Sequence, residues 1–285
     1  MLPTFVIGLR EGLEAALIVG IVAAFLRQRG RGDALRWMWL GVIGALLLCG
    51  GVAYALHVAE ENLPQKQQEQ LETVIALAAV GMITWMVIWM RRHSADLKGD
   101  LQARAEVALI EGSAIGLVVM AFLAVLREGL ETAVFMLAAF QQSDRPGLTG
   151  TGAILGVAVA VVLGYLIYRG GVKINLSKFF RVTGVVLVLV GAGLLSFAVH
   201  TAHEGGWLNL LLDRAVDLRW IIDPGSVQSA LITGMFGIQP EPTWGEVIAF
   251  LLYAVPMTIY VCRPTRPPTR AAAKPATVEP VAESV

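Results

Sequence analysis

Arg10, Glu11 and Glu14 stand in VIGLREGLEAALIVG, residues 6–20, among side chains otherwise suited to lipid. The same five letters, REGLE, return 117 residues later in FLAVLREGLETAVFM, as Arg127, Glu128 and Glu131. On a helix, Glu11 and Glu14 share a face at i,i+3, and Arg10 can reach Glu14 at i,i+4. Insertion scales charge roughly 2.5–3.5 kcal/mol for an ionised residue at a helix centre. Four glutamates and two arginines therefore cost on the order of 15–20 kcal/mol before pairing and snorkelling reduce it. Such groups persist only when they face one another, water or a cargo. Two copies brought together hold four carboxylates and two guanidiniums, and the formal sum of −2 balances one divalent cation. Oxygen ligands suit hard cations such as ferric iron, manganese, magnesium or calcium, and ferrous iron is acceptable. Arginine stays charged, so Arg10 and Arg127 would orient carboxylates and moderate the site's charge. A purely structural ion-pair lock would need equal numbers of opposite charges; this motif has an excess of acid.

The elements that must position these residues are membrane helices. The chain has 285 residues, 56% hydrophobic and only 15% charged, with a mean hydropathy of +0.68. A soluble domain carries roughly 25% charged residues. Apolar runs predict seven transmembrane helices at 2–27, 36–59, 71–91, 116–141, 149–168, 180–203 and 244–262. Each is long enough to cross a hydrocarbon layer of roughly 30 Å. Their continuous rather than alternating apolarity excludes a β-barrel. Sixteen of the 22 basic residues follow the first, third, fifth and seventh spans. The positive-inside rule then places the N-terminus outside and the C-terminus in the cytoplasm. A signal peptide does not fit the first span, because Arg10 interrupts its apolar core and no basic residue precedes it. Cys49 and Cys262 form neither a disulfide framework nor a CxxC site.

The expected organisation is a single all-α transporter domain over residues 1–262. Displacing the first three spans by 117 residues lands on or near the next three, which predicts repeats over about 2–91 and 104–203. Three helices per repeat make the two copies inverted in the membrane, an arrangement that places sites near the midplane at the repeat interface. The first helix runs inward and the fourth outward, so both motifs reach similar depth. A long outer loop, 204–243, precedes the last helix at 244–262. Its LNLLLDRAVDLRWII stretch predicts an amphipathic surface helix. RAEVALIEGSAIG, with Glu106 and Glu111, extends the fourth element on the cytoplasmic side, and the Pro/Ala-rich tail 263–285 reads as disordered.

Secondary candidates are weaker. His200, His203 and Glu204 cluster at the outer end of the sixth span and could serve as entry ligands, although ordinary polar residues at a helix end look the same. Met82, Met86 and Met90, at spacing four, read as packing rather than a soft-metal ladder. No histidine has a glutamate three residues before it, so a di-iron carboxylate oxidase lacks its ligand pattern. GxSxG and GxxxxGK[ST] are absent, which removes an esterase elbow and a phosphate loop. The rivals to a metal transporter are a membrane-embedded carboxylate oxidase and a subunit whose glutamates carry protons alone.

Two REGLE motifs, in the first and fourth of seven helices with the N-terminus outside, resemble the oxidase-coupled iron permeases. These comprise the fungal high-affinity iron permeases and the bacterial EfeU-type ferrous iron permeases. The resemblance runs to about residue 262, and the compact outer loops are closer to the bacterial branch. It implies a non-enzymatic permease of the inner membrane that imports iron. By motif position, it implies metal-handling roles for Glu11, Glu14, Glu128 and Glu131 and orienting roles for Arg10 and Arg127. Iron is then cargo, with no tightly bound cofactor. A periplasmic iron-binding protein and an oxidase or peroxidase are the implied partners, and no nucleic acid is expected. Lead or manganese remain alternative cargoes.

Overall fold

In hydrocarbon a backbone must satisfy its own hydrogen bonds, so long Leu/Val/Ala/Ile runs resolve as helices. The computed structural model describes residues 1–28, 30, 32–61, 63–93, 114–143, 146–168, 176–217 and 240–263. These form seven α-helices: α1 (Leu2–Gln28), α2 (Leu35–Glu61), α3 (Gln65–His93), α4 (Ala114–Gln141), α5 (Pro146–Tyr168), α6 (Leu176–Glu204) and α7 (Trp244–Cys262). A 3₁₀ turn, Gly32–Ala34, leads into α2. Five segments are long and apolar enough to cross a membrane: Gly32–Leu56, Gln65–Arg91, Pro146–Ile167, Arg181–Glu204 and Trp244–Cys262. α1 and α4 are of similar length but carry the REGLE charges. α3 begins six residues before the apolar run predicts, because its first turns are the polar QKQQEQ.

The helices pack crosswise. The most extensive interfaces are α1 with α5, α2 with α4, and α3 with α6, and α7 lies along α6. Thus each REGLE helix is sheathed by the second helix of the other half. One core gathers Ile7, Leu13, Ile83, Phe135 and Leu187 from α1, α3, α4 and α6. A second joins Val22, Leu26, Met38, Val42 and Val125 from α1, α2 and α4. The glycine of each motif marks a close crossing. A Cβ on Gly12 would lie 2.9 Å from Ala160 Cβ on α5, and one on Gly129 would lie 2.5 Å from Cys49 Sγ on α2. Small residues let helices approach in this way where water supplies no drive for association.

Hydroxyls tie helices together as well. Thr4 Oγ1 donates to Thr149 O at 2.8 Å, joining α1 to α5. The Thr73 and Thr201 hydroxyls meet at 2.8 Å between α3 and α6, and Thr84 and Tyr253 meet at 2.9 Å between α3 and α7.

One expectation is overturned. Among the described residues of the predicted surface helix, 208–217 contain no helical turn. α6 stops at Gly205 and Gly206, the latter at φ +73°, and Leu211 adopts φ 59°. The backbone then pairs with the start of α7: Ala215 N donates to Pro242 O at 2.9 Å and Trp244 N to Asp213 O at 3.0 Å. These bonds replace the i→i−4 ladder that the Leu/charge pattern alone would favour. The rest of that stretch, the segment with Glu106 and Glu111, and the tail beyond 263 lie outside the described residues.

Candidate metal-ion site

α1 carries Arg10, Glu11 and Glu14 into the core, where the arginine reaches side chains of α3. Arg10 has no exposed surface and Glu11 almost none. Arg10 Nη1 lies 3.0 Å from Glu11 Oε1 and also donates to Met86 Sδ at 2.8 Å. Nη2 lies 3.0 Å from Glu14 Oε1 and donates to Met90 Sδ. The Glu14 contact is an ion pair off the N–H direction, since Glu14 Oε1 accepts no hydrogen bond. Met86 and Met90 are four apart on α3 and so share a face. The methionines are buried as the sequence predicts, and in addition their polarisable sulfurs cradle a delocalised cation.

α4 holds its copy differently. Arg127 Nε donates to Glu131 Oε1 at 3.1 Å and stands 4.0 Å from Glu128 Oε1. Its guanidinium lies 5.3 Å from the centroid of the Trp89 ring, and 49% of the side chain is exposed. The pentapeptide fixes the Arg–Glu pair one turn apart in both helices. The neighbouring side chains decide the rest.

Across the α1/α4 interface, the two halves converge. One carboxylate oxygen each from Glu11, Glu128 and Glu131 lies within 4.8 Å of the others. Glu11 and Glu128 are buried and Glu131 half-buried. Glu14 stands one turn along α1, on Arg10 and outside this trio. Glu11 Oε2 is buried with no hydrogen-bond partner. Two ionised carboxylates at about 4.8 Å repel by about 3–4 kcal/mol at an effective dielectric of about 20. A cation removes that repulsion and gives Glu11 Oε2 a partner. Glu11 and Glu128 also line a cavity of about 810 Å³ among α1, α2, α4 and α5, whose other walls include Ala16, Val42, Val125 and Val161. Oxygen ligands at the head of an apolar chamber can hold a hard cation with few competing donors.

The histidine candidates separate. His200 Nδ1 lies 3.0 Å from Glu246 Oε1, and Nε2 lies 3.6 Å from Glu204 Oε1. His203 Nε2 turns instead to the carbonyl of Leu210 at 3.1 Å. Glu246, on α7, escapes a sequence reading because Thr243-Trp244-Gly245-Glu246 has the form of a helix capping box. Thr243 does cap, accepting from Glu246 N at 3.3 Å, while the Glu246 carboxylate turns to His200.

Residues 1–265 match the model of the iron permease FTR1 family. The chain is 41% identical over 268 residues to the ferrous iron permease EfeU of Shigella sonnei, covering 93% of this chain and 97% of that protein. It is 42% identical over 268 residues to EfeU of Yersinia pestis, covering 93% and 95%. It is also 42% identical over 270 residues, covering 93% and 97%, to a protein of Escherichia coli K12 described as a putative inactive ferrous iron permease EfeU. No solved structure matches the chain.

Proposed function

This chain belongs to the iron permease FTR1 family, and from that premise we propose that it imports iron across the cytoplasmic membrane through Glu11, Glu128 and Glu131. The observation that carries the reading is the carboxylate trio drawn from two helices of opposite halves, with Glu11 Oε2 buried and unpartnered beside it. Glu14 and the two arginines hold the trio in place. Arg10 is fixed in the core, and Arg127 pairs with Glu131.

The crosswise packing supports the inverted-repeat organisation. α1 lies on α5 as α4 lies on α2, and α3 lies on α6. This is the reciprocity that a two-fold axis in the membrane plane produces. The run of basic residues after α1, α3, α5 and α7 supports an external N-terminus and a cytoplasmic C-terminus. The ion enters from outside, loses water to the glutamate oxygens, and leaves inward as the paired helices shift.

No nucleotide motif is present in the sequence, so gradients drive the step. An inside-negative potential contributes about 2.3 kcal/mol per charge per 100 mV, about twice that for a divalent ion. The EfeU relatives are described as ferrous iron permeases, and Fe²⁺ is the proposed cargo rather than a resident cofactor. A separate oxidase or peroxidase and a periplasmic iron-binding protein would act on the outer side.

The test is metal uptake into proteoliposomes holding the full chain, with iron, manganese and lead in competition. Glu11→Gln and Glu128→Gln should each abolish iron uptake while the protein still inserts and elutes as the wild type does. Wild-type rates in both variants would refute the site. Preferred uptake of lead or manganese would reassign the cargo. Oxygen consumption with ferrous iron in the purified protein would point to the oxidase reading.

A further inference from the structure

The chamber beside the carboxylates is larger than an ion needs. α1 with α5 and α2 with α4 form two close pairs, and the cavity of about 810 Å³ is the gap between them. Its wall on α1 runs from Glu11 to Arg27, about 24 Å at 1.5 Å per residue. Between these ends lie Ala15, Val19, Gly20 and Ala23, whose short side chains leave a smooth apolar groove. Its lips belong to α2 and α5, where Trp39, Leu46, Val161 and Tyr165 line the gap and are each half exposed or more. In a bilayer such side chains meet lipid, so the groove opens sideways into hydrocarbon. Charge is sorted along it. Glu11, with Glu128 against it, stands at one end of the α1 wall. Arg27, in the last turn of α1, stands exposed at the other, where Leu35 begins α2.

We propose that this groove seats one acyl chain of an anionic phospholipid, with the phosphate on Arg27 and the chain running up α1 toward Glu11. An apolar cavity stays dry and takes an apolar occupant, and a gap open to the bilayer has acyl chains at hand. Half of a hydrocarbon layer is roughly 15 Å deep, so a chain rooted at Arg27 covers most of the α1 wall. The charges fix the direction: an anionic head is drawn to the arginine end and repelled from the carboxylate end. Arg36, next to Leu35 and exposed, adds to the positive field at that end. Basic pockets between helices at the cytoplasmic interface are where anionic headgroups bind. A basic residue in the last turn of α1 also suits the helix dipole, but the dipole calls for no groove beneath it. An uncharged lipid would fill the groove equally well, and the charge at Arg27 is what selects the head. The seated chain completes an apolar wall beside the carboxylates that the protein alone leaves open. With the orientation proposed above, the Arg27 end is cytoplasmic; the binding depends neither on that orientation nor on iron.

The experiment is native mass spectrometry of the purified full chain, given phosphatidylglycerol and phosphatidylcholine of matched chains in equal amounts. The chain should retain phosphatidylglycerol over phosphatidylcholine by roughly fivefold, the weight of one basic side chain near an anionic headgroup. Arg27→Gln, at an exposed helix end, should fold normally and hold the two lipids equally, whereas Arg27→Lys should keep the preference. A second measurement places the chain. Phosphatidylglycerol with a photoreactive group midway along one acyl chain should label the α1 stretch Val19–Ala23 and the α2 stretch Trp39–Leu46, and Arg27→Gln should reduce that labelling while labelling of the outer face of α7 stays the same. The proposal is overturned if no lipid is retained, if Arg27→Gln leaves the preference intact, or if these two stretches stay unlabelled. A lipid-free dimer with the groove unlabelled would assign the gap to a second copy of the chain and overturn it too.

Discussion

Arg10 and Arg127 hold the same place in the same pentapeptide, yet Arg10 is sealed in the core and Arg127 leaves half of its side chain exposed. Both pair with the glutamate four residues on, as helical geometry demands. What differs is supplied by α3, which offers Met86 and Met90 to one guanidinium and Trp89 to the other. A single turn of one helix thus serves both motifs. Sulfur and core packing make the first copy an anchor, while an aromatic face and solvent-accessible surface leave the second free to yield. Repetition of a motif sets the local pairing, and the third helix breaks the equivalence.

The largest test of this contrast is in the acids. Glu11→Gln and Glu128→Gln should abolish iron uptake in proteoliposomes, whereas Glu14→Gln, which lies outside the trio, should retain measurable transport. Equal loss at all three would merge the trio and Glu14 into one site. Next come the arginines. Arg10→Lys keeps the charge but gives up two-pronged pairing in a buried network, and thermal unfolding in detergent should show a loss of about 1–3 kcal/mol. Arg127→Lys, at a half-exposed pair, should cost at most about 1 kcal/mol. Similar losses would erase the distinction between anchor and yielding partner.

The glycines give a smaller, still asymmetric effect. A methyl at Gly12 meets Ala160 Cβ, which cannot rotate away, so α1 and α5 must part. Gly12→Ala should cost about 1–3 kcal/mol. At Gly129 the obstacle is Cys49 Sγ, and Cys49→Ala should restore the stability of Gly129→Ala; failure of that rescue would show that the α2/α4 backbones themselves are in the way. The smallest difference lies on α3. Met90→Leu should destabilise by about 0.5–1.5 kcal/mol through loss of the sulfur contact. Trp89→Leu should lose about 0.5–1 kcal/mol of cation–π attraction and loosen only Arg127.

Much of the architecture was legible because the signals were strong and local. Seven apolar runs correspond to seven helices among the described residues, and the repeated REGLE pointed to the two helices that supply the carboxylate cluster. Helix ends were read less well, since hydropathy sees lipid contact and α3 continues through QKQQEQ beyond it. The 208–217 stretch misled because its leucines and charges have helical spacing, while its backbone bonds go to residues 242–245. Met86 and Met90 looked like filler because a buried thioether facing a guanidinium leaves no trace in periodicity. Glu246 was hidden by a capping-box pattern that its own helix only half uses. In each case the missing information was the identity of a distant neighbour.

The crosswise sheathing of α1 by α5 and α4 by α2 has a consequence for how the molecule is assembled. Neither half can shield its own acidic helix. A polypeptide severed between residues 93 and 114 would yield two pieces, each with a REGLE stripped of its cover, and only coexpression would restore them. Synthesis of the first three helices therefore leaves Arg10 and its acids waiting in the bilayer until the second half arrives to close over them.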